Sequence, residues 1–480
     1  MIKNAMLKNI VQENYGKGRI LYDVVIVGGG PAGIFCALSL IENHKNLSVI
    51  MLEKGHDITD RRCPARRLNK LCVRCNVCNI YSGWGGAGAF SDGKITLDHE
   101  IGGWLPQVIS IEKTRQYIKK ADELFLKYGA PREVYGDDSD IFEKWRRKAS
   151  LAGMKLQKNP IRHMGSDLSF NILSRMKDEL KKNVEIKVMS EVESFIVENN
   201  VVKGVKTKDG ESFLSRVVIV APGRSGASWL RREFTRLRIP MKRNPIDLGV
   251  RVEVPAEVME EITRDLYEPK LRYVSKRFDD NVRTFCVNPH GEVLTEFFEN
   301  IVTVNGHSYN DHKTDNTNFA ILVSTDFTEP FKEPIEYGLS IAKLANLISN
   351  GVVVQRLGDL IQGRRSTHER IGRSLVSPTL PDATPGDLSF ILPYRILSNI
   401  VEMLKAMDKL LPGIFSKQDT LLYGVEAKFY SSRVEVNNYC ETNVKNLFAI
   451  GDGAGITRGL SQAAASGLYV GQVVSERLKT

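Results

Sequence analysis

The sequence lacks a long apolar segment of the kind that spans a membrane. Its longest uncharged run, Val24–Ile41, approaches the length of a span, but GGGP in its middle favours a strand, a turn and a helix. The first twenty residues carry Lys3, Lys8 and Glu13 and contain no cleavable apolar core, so no secretory signal is predicted. We therefore expect a soluble, cytoplasmic protein without a membrane span.

The sequence also lacks internal repeats, low-complexity linkers and a basic tail. With 480 residues, 42% of them hydrophobic and 26% charged, it is long enough for two or three ordered domains. The net charge of +10 is spread along the chain. It would suit an anionic substrate, a nucleotide, RNA or an acidic protein, although a general lysine bias of the proteome explains it without any partner.

A strand, a turn, a helix and a second strand are predicted near the start of the sequence. Residues 23–27 and 47–52 are apolar runs typical of buried strands, and residues 34–42 form a helical pattern between them. Glu53 ends the second strand, where it would accept a hydrogen bond from a ribose hydroxyl. This order is typical of dinucleotide-binding folds.

Three glycines in the first turn follow the spacing G-x-G-x-x-G. Gly28 would allow the tight turn, Gly30 would let the backbone approach a pyrophosphate, and Gly33 would let the helix pack closely on the strand. The helix N-terminus favours the anion. Together these residues predict a dinucleotide site.

The C-terminal segment favours FAD over NAD. Residues 447–450 predict a short strand, Gly451 and Asp452 follow, and a helix begins at about Ser461. This pattern resembles the second fingerprint of the glutathione-reductase-like flavoproteins. The resemblance implies that Asp452 binds the ribityl chain of FAD and that the helix beginning with Ser461 and Gln462 points at the flavin, although both side chains could equally cap the helix.

Residues 183–223 agree with that resemblance. They predict a strand, a hairpin through Asn199 and Asn200, a further turn, and a buried return strand ending in VVIVAPG. The same flavoproteins contain a three-stranded meander here. The resemblance implies that the backbone around Val192 contacts the adenine and that Gly223 marks the turn after the return strand.

The predicted fold is α/β: a Rossmann-like FAD-binding domain of the glutathione-reductase type with a three-stranded β-meander, plus an inserted α+β substrate domain. Residues 101–164 would form a helical insertion, and residues 236–424 would form the substrate or cap domain. The FAD-binding domain would be assembled from residues 1–100, 165–235 and 425–480.

Only one complete dinucleotide fingerprint is present, so a separate NAD(P)H domain is not expected. Electrons would then come from NAD(P)H that visits the flavin transiently, from an electron-carrier protein such as a ferredoxin, or from an internal metal centre.

Four of the seven cysteines form a cluster: Cys63, Cys72, Cys75 and Cys78. The C-x2-C-x2-C core has ferredoxin-like spacing, and Cys63 can supply the fourth ligand of a [4Fe–4S] cluster, whose negative charge Arg61 and its basic neighbours would offset. A zinc site, redox disulfide chemistry and unligated thiols stay open as alternatives. A metal centre here would either pass electrons to a flavin or order the adjoining loop.

A glycine-rich loop at residues 82–94 follows the cysteines. In related flavoproteins such a segment contacts the pyrophosphate and the flavin ring, which implies the same for Gly86, Ala87 and Gly88. The residues predicted to bind the cofactor are Gly28, Gly30, Pro31, Ala32, Gly33, Glu53, Lys54, Gly86, Ala87, Gly88, Val192, Gly223, Gly451, Asp452, Ser461 and Gln462.

Four longer motifs resemble the uncharacterised FAD-dependent dehydrogenase family. They are GWGGAGAFSDGK at 83–94, DLGVRVEVP at 247–255, GRRSTHERIGRS at 363–374 and PTLPDATPGDLSFILP at 378–393. The resemblance covers nearly the whole chain and implies the glutathione-reductase-like fold and FAD, without implying a substrate. The cysteine cluster is found in only some relatives.

Four side chains are candidates for proton transfer or substrate binding, since a flavin itself carries the redox chemistry. His163 could donate a proton, and Lys94 could stabilise the negative charge of the reduced ring. His368 lies among arginines that could clamp a carboxylate or phosphate, and Arg458 precedes the helix aimed at the flavin. The alternatives are a structural histidine at His163 and a solvated basic face around His368.

We therefore expect an FAD-dependent oxidoreductase, a dehydrogenase or reductase of a small organic substrate, with an iron–sulfur relay as an option. The alternatives are an RNA-acting flavoprotein of the tRNA-modifying kind and a non-enzymatic flavin or iron–sulfur redox sensor. No recognised RNA-binding module supports the first alternative, so nucleic acid is not expected as a partner.

Overall fold

In a computed structural model of the chain, the described residues are 21–64, 75–91, 93–298, 301–308, 312–327, 330, 333–349, 351–429 and 432–479. The chain divides into two compact units. The first comprises Met1–Arg132, Ser166–Arg243 and Ser431–Thr480, and the second comprises Glu133–Gly165 and Asn244–Tyr430. Residues 101–164, predicted as one helical insertion, are therefore divided between the two units.

The described residues form strands and helices along the whole chain. The strands are β1 (Leu21–Val27), β2 (Val49–Leu52), β3 (Lys94–Thr96), β4 (Lys155–Gln157), β5 (Ile161–His163), β6 (Val184–Lys187), β7 (Val192–Glu198), β8 (Val201–Thr207), β9 (Ser212–Val220), β10 (Met241–Lys242), β11 (Ile246–Pro255), β12 (Lys270–Val274), β13 (Asn281–Asn288), β14 (Glu292–Phe298), β15 (Ile301–His307), β16 (Asn316–Thr325), β17 (Val353–Arg356), β18 (Thr384–Pro385), β19 (Leu421–Lys428), β20 (Arg433–Val434) and β21 (Leu447–Ala449). The α-helices are α1 (Pro31–Asn43), α2 (Leu105–Ile109), α3 (Ile111–Lys127), α4 (Ser139–Leu151), α5 (Gly165–Leu180), α6 (Ala227–Arg236), α7 (Ala256–Leu266), α8 (Pro334–Leu347), α9 (Leu357–Ile361), α10 (His368–Gly372), α11 (Tyr394–Leu410) and α12 (Leu460–Lys479). Short 3₁₀ turns occur at Gly86–Phe90, Arg224–Gly226, Leu388–Phe390 and Asp452–Ala454.

A mixed sheet forms the centre of the first unit, with the order β6-β2-β1-β9-β8-β7 and with β21 beside β9. β6, β2, β1, β9 and β21 pair in parallel, whereas β7, β8 and β9 form an antiparallel meander. The residues of the β7–β8 turn, Asn199 and Asn200, both have positive φ (49° and 60°), which suits a tight hairpin. The predicted strands, meander and return strand are thus present.

Helices α1 and α12, from distant parts of the sequence, pack closely against each other. A Cβ on Gly467 of α12 would lie 2.1 Å from the Ala32 carbonyl oxygen of α1, so only glycine allows this approach. Ser39 also donates a hydrogen bond to the Leu468 carbonyl at 2.9 Å. The two segments predicted to build one site therefore do belong to one packed structure.

A second sheet organises the other unit, with the order β18-β17-β19-β11-β16-β13-β12-β4, while β14 and β15 form a separate hairpin. Alternate residues of β11, such as Val250 and Val252, lie in an apolar core that also takes residues of α4, α7, α8 and α11. Arg251 of β11 is fully buried and pairs with Glu426 of β19, its Nε lying 2.7 Å from one carboxylate oxygen.

The predicted α/β fold class is confirmed, because parallel strands form most of the first sheet and both units combine strands with helices. The uncharged run at residues 24–41 forms β1 and α1, as its glycines indicated. Across the part of the chain that the structure describes, no helix is both long and apolar enough to cross a membrane. The glutathione-reductase-type detail and the exact domain boundaries stay predictions.

Candidate functional site

An open cleft in the first unit has about 1200 Å³ of empty space, counted out to the solvent. Its walls come from the turn after β1, the end of β2, the glycine-rich loop, the start of β7, the turn after β9 and the start of α12. The predicted cofactor residues that line it are Gly28, Gly30, Pro31, Ala32, Glu53, Lys54, Gly86, Ala87, Gly88, Val192, Gly223, Gly451 and Asp452. Gly33, Ser461 and Gln462 are the predicted cofactor residues outside this lining.

The turn after β1 is shaped by close backbone approaches. Gly28 has φ +110°, and a Cβ there would lie 2.2 Å from the Ala221 carbonyl oxygen. A Cβ on Gly33 would lie 2.0 Å from the Gly28 carbonyl oxygen. A Cβ on Gly30, by contrast, would meet only the Gly86 Cα at 3.9 Å. Gly30 thus borders open space at the start of α1, where the helix dipole favours an anion.

Glu53 holds three backbone segments of the cleft wall together. The side chain is 6% exposed, and its Oε2 accepts a hydrogen bond from Gly29 N at 2.7 Å. Its Oε1 accepts from Gly55 N at 2.9 Å and from Gly83 N at 2.8 Å. A ribose hydroxyl would therefore share oxygens that already bind the backbone.

Polar contacts bridge the two sides of the cleft. Lys54 Nζ donates to the Ser225 carbonyl at 3.0 Å, and the hydroxyls of Ser82 and Ser225 are 3.2 Å apart. The Arg224 guanidinium lies 6.0 Å from the centre of the Tyr81 ring. Burial lowers the pKa of Lys54. Lys54 was predicted, whereas sequence reasoning missed Tyr81, Ser82, Arg224 and Ser225, although each lies in or beside a glycine-rich segment that it had identified.

Asp452 begins the 3₁₀ turn that precedes the C-terminal helix, and two hydrogen bonds hold its carboxylate. Its Oδ1 accepts a hydrogen bond from the Thr457 hydroxyl at 2.7 Å, and its Oδ2 accepts from Gly459 N at 3.0 Å. Burial raises the pKa of the Asp452 carboxyl, while these hydrogen bonds and the charges of Arg224 and Arg458 act in the opposite direction.

The first turn of α12 contains two further predicted residues, Ser461 and Gln462. Gln462 Nε2 donates to the carbonyls of His99 and Ile101 at 3.0 and 3.3 Å. Ser461 Oγ and Gln462 Oε1 are buried and have no hydrogen-bond partner among the described residues. The start of α12 thus holds two buried polar atoms without a partner in the described chain, although neither residue lines the cleft.

The four candidate catalytic residues do not line the cleft as far as the structure describes it. Lys94 begins β3 in the first unit, and the Arg458 guanidinium lies 4.1 Å from the centre of the Trp104 ring. His163 and His368 belong to the second unit. The Nε2 of His163 lies 3.4 Å from the Tyr267 hydroxyl, which gives this histidine a structural contact.

The arginines around His368 make contacts within their own loop. Arg364 Nε donates to the buried Asp359 carboxylate at 2.8 Å, and Arg370 donates to the Arg365 carbonyl at 2.8 Å. Thr367 caps the helix that begins at His368. These hydrogen bonds order the loop, and an anion would have to compete with them for Arg364.

The cysteine cluster is only partly within the described residues, because Cys72 lies outside them. Cys63, Cys75 and Cys78 have free thiols, and Cys75 is exposed. Within the described ranges, no group of three or more His, Cys, Asp or Glu side chains is placed to hold a metal ion. The metal site therefore stays a prediction from the sequence.

Two family models match parts of the chain. Residues 245–429 match the family described as "FAD-dependent protein, C-terminal domain-like", and residues 170–273 match "Glucose inhibited division protein A". The chain is an FAD-dependent flavoprotein. At this coarse level the predictions of FAD and of an FAD-dependent oxidoreductase are confirmed.

The flavoprotein is also similar to several individual proteins. An uncharacterised protein of Clostridium beijerinckii is 28% identical over 94% of this chain and 80% of its own length. Aspergillus oryzae formate oxidase is 14% identical, with a TM-score of 0.46 over 96% of this chain and 98% of its own. Bacillus halodurans glycerol-3-phosphate dehydrogenase, solved with FAD, is 11% identical. Its TM-score is 0.39 over 97% of this chain and 66% of its own. Since both TM-scores are below 0.5, these structures decide neither fold nor substrate.

Proposed function

We propose that the cleft of the first unit holds FAD and that the flavoprotein oxidises or reduces a small organic molecule beside it. The observation that carries this proposal is the convergence on one cleft of the turn after β1, Glu53, the glycine-rich loop and Asp452. These segments come from both ends of the sequence, which is the arrangement that the two glycine-rich fingerprints led us to expect.

The residues of the cleft fit an extended dinucleotide. The open space beside Gly30 and the N-terminus of α1 suit a pyrophosphate, and Lys54, which lines the same cleft, adds a cation. Val192 and Gly223 border the part of the cleft that would take the adenosine. The unpartnered Ser461 hydroxyl suits a carbonyl oxygen of a flavin, and the unpartnered Gln462 Oε1, which can only accept, suits the N–H between the flavin carbonyls.

When bound, FAD would supply the transfer of a hydride or of single electrons. The chain's own residues bind and orient the cofactor: α1 stabilises its anionic centre, and Asp452 offers carboxylate oxygens to hydroxyl donors. Arg458, which precedes α12, is our candidate for binding the substrate, and Lys94 is our candidate for stabilising negative charge on the reduced ring.

Two variants test the cofactor site. Gly30→Trp places an indole in the cleft beside Gly86, and Asp452→Ala removes a carboxylate from its wall. We expect both to lose most bound FAD, measured as flavin released per purified chain. Gly372→Trp is the matched control, because a Cβ at Gly372 meets no atom within 4 Å. Full FAD occupancy in both cleft variants would refute the assignment of the site.

The spacing of the cysteines at 63–78 fits a [4Fe–4S] cluster and also a zinc site. Iron, sulfide and zinc analysis after anaerobic purification tests the cysteine pattern directly. Iron and sulfide in equal amounts would favour a cluster, and zinc would favour a structural site. No observation favours an RNA substrate or a sensor role.

A further inference from the structure

The Arg61 side chain is buried inside the loop that precedes the 3₁₀ turn at Gly86–Phe90. It is 4% exposed, and its guanidinium lies 4.7 Å from the centre of the Phe90 ring. Four carbonyl oxygens accept its hydrogen bonds: those of Asn79 (2.9 Å), Ile80 (2.8 Å), Trp84 (2.6 Å) and Gly86 (2.8 Å). The loop is thus wrapped around one guanidinium.

Glu53 binds the same loop as a hydrogen-bond acceptor, whereas Arg61 binds it as a donor. It accepts a hydrogen bond from Gly83 N, while Arg61 binds the carbonyls on both sides of that residue. Gly83 has φ +112°, and a Cβ there would lie 2.6 Å from Arg61 Cδ. A buried cation and a buried anion therefore fix the backbone of the loop between them.

The carbonyls bound by Arg61 determine where the next N–H groups point. In a planar trans peptide the C=O and the following N–H point in opposite directions. Because the Trp84 carbonyl is turned to Arg61, the N–H of Gly85 points away from it and donates to the Gly29 carbonyl at 2.8 Å. The Gly86 carbonyl is turned to Arg61 in the same way, so the N–H of Ala87 also points away from the guanidinium.

We infer that Arg61 is a positioning residue for the cofactor, although the cofactor does not touch it. By holding the Gly86 carbonyl, it presents the Ala87 N–H to the cleft, which both residues line, as a donor for an oxygen of the FAD. This inference rests on the proposed function. A lysine cannot replace the arginine, because one ammonium group cannot reach four carbonyls that a planar five-donor fork can.

The test compares Arg61→Lys with Arg62→Lys, a change at the exposed neighbouring arginine. The FAD dissociation constant of each apoprotein is measured by flavin fluorescence, and the unfolding midpoint of each apoprotein is measured in urea. We expect Arg61→Lys to weaken FAD binding by a factor of about 10 or more and also to lower the apoprotein midpoint, because some of the four carbonyls lose their donor. FAD affinity is therefore compared under conditions where both apoproteins are folded, and equal FAD affinity of the two variants there would overturn the inference.

A second measurement needs no variant. Amide hydrogen exchange of the wild-type protein should slow within residues 84–90 when FAD is added, because the Ala87 N–H gains an acceptor. Unchanged exchange in this segment of the FAD-bound protein would also overturn the inference. If the wild-type protein binds no FAD at all, the proposed function fails instead, so the two failures are distinguishable.

Discussion

At the scale of single residues, Glu53 shows how one side chain takes on a second role. Its position after β2 predicted a ribose contact, and the structure shows it bound to Gly29, Gly55 and Gly83. The three N–H groups come from different segments, so the carboxylate shapes the cleft before any cofactor enters. A buried acceptor with this many donors is costly to remove, because each donor would lose its partner.

We predict that Glu53→Gln weakens FAD binding by a factor of about 10 or more and lowers the free energy of unfolding by about 1–3 kcal/mol. The amide has one acceptor oxygen, so its NH₂ group would face a backbone N–H. Titration with FAD and urea unfolding measure the two effects. Glu198→Gln, at the exposed end of β7, is the control, and equal behaviour of the two variants would contradict the prediction.

The lowered pKa of Lys54 leads us to predict that cofactor binding depends on pH. Burial lowers the pKa of this lysine, so it loses its positive charge at a lower pH than an exposed lysine does. We propose that the protonated form attracts the FAD diphosphate, so the FAD dissociation constant should rise with pH through this lowered pKa. The Lys54→Gln variant should lack this rise of the dissociation constant with pH. The Lys203→Gln variant, which changes an exposed lysine, should keep it. A rise of the same size in Lys54→Gln would show that another group titrates.

At the scale of elements, the contact between α1 and α12 joins the two segments that border the cleft. Residues of both helices line it, so their spacing sets the distance between the turn after β1 and the start of α12. The close approach depends on Gly467 facing Ala32. Packing of this kind tolerates no added methyl group without movement of the backbone.

We predict that Gly467→Ala lowers the free energy of unfolding by about 1–3 kcal/mol through overpacking and also weakens FAD binding. Urea unfolding of the apoprotein and an FAD titration test both parts. Gly372→Ala adds the same methyl group where no atom lies within 4 Å. If the two alanine variants were equally stable, the packing argument would be wrong.

At the scale of the whole molecule, the cleft lies within one compact unit. A ligand that binds only the folded form stabilises it in proportion to the logarithm of its concentration. At a free FAD concentration of about 100 times the dissociation constant, we predict a gain of about 2.7 kcal/mol in the free energy of unfolding. Urea unfolding with and without FAD measures this gain.

Riboflavin is the control for that measurement, because it lacks the pyrophosphate and adenosine that we propose bind beside Gly30, Lys54 and Val192. It should stabilise the protein far less than FAD at the same concentration. Equal stabilisation by riboflavin would show that the adenosine half of the cleft contributes nothing.

The sequence by itself determined the local elements around the cleft. Glycine spacing and apolar periodicity are properties of neighbouring residues, and they predicted β1, α1, the β7–β9 meander and the start of α12. The pairing of the two chain ends could also be predicted, because the resemblance to the glutathione-reductase-like flavoproteins implies that both fingerprints serve one site.

Only the tertiary structure decided how individual side chains are used. In the sequence, nothing distinguishes Arg61 from the basic residues around it. In the structure, its guanidinium is buried among four carbonyls of a loop about twenty residues away. The segment 101–164 reads as one helical insertion, yet it is divided between two units. Both outcomes depend on contacts between residues that are far apart in the sequence. Composition and local spacing describe neighbouring residues only, so they cannot predict such contacts.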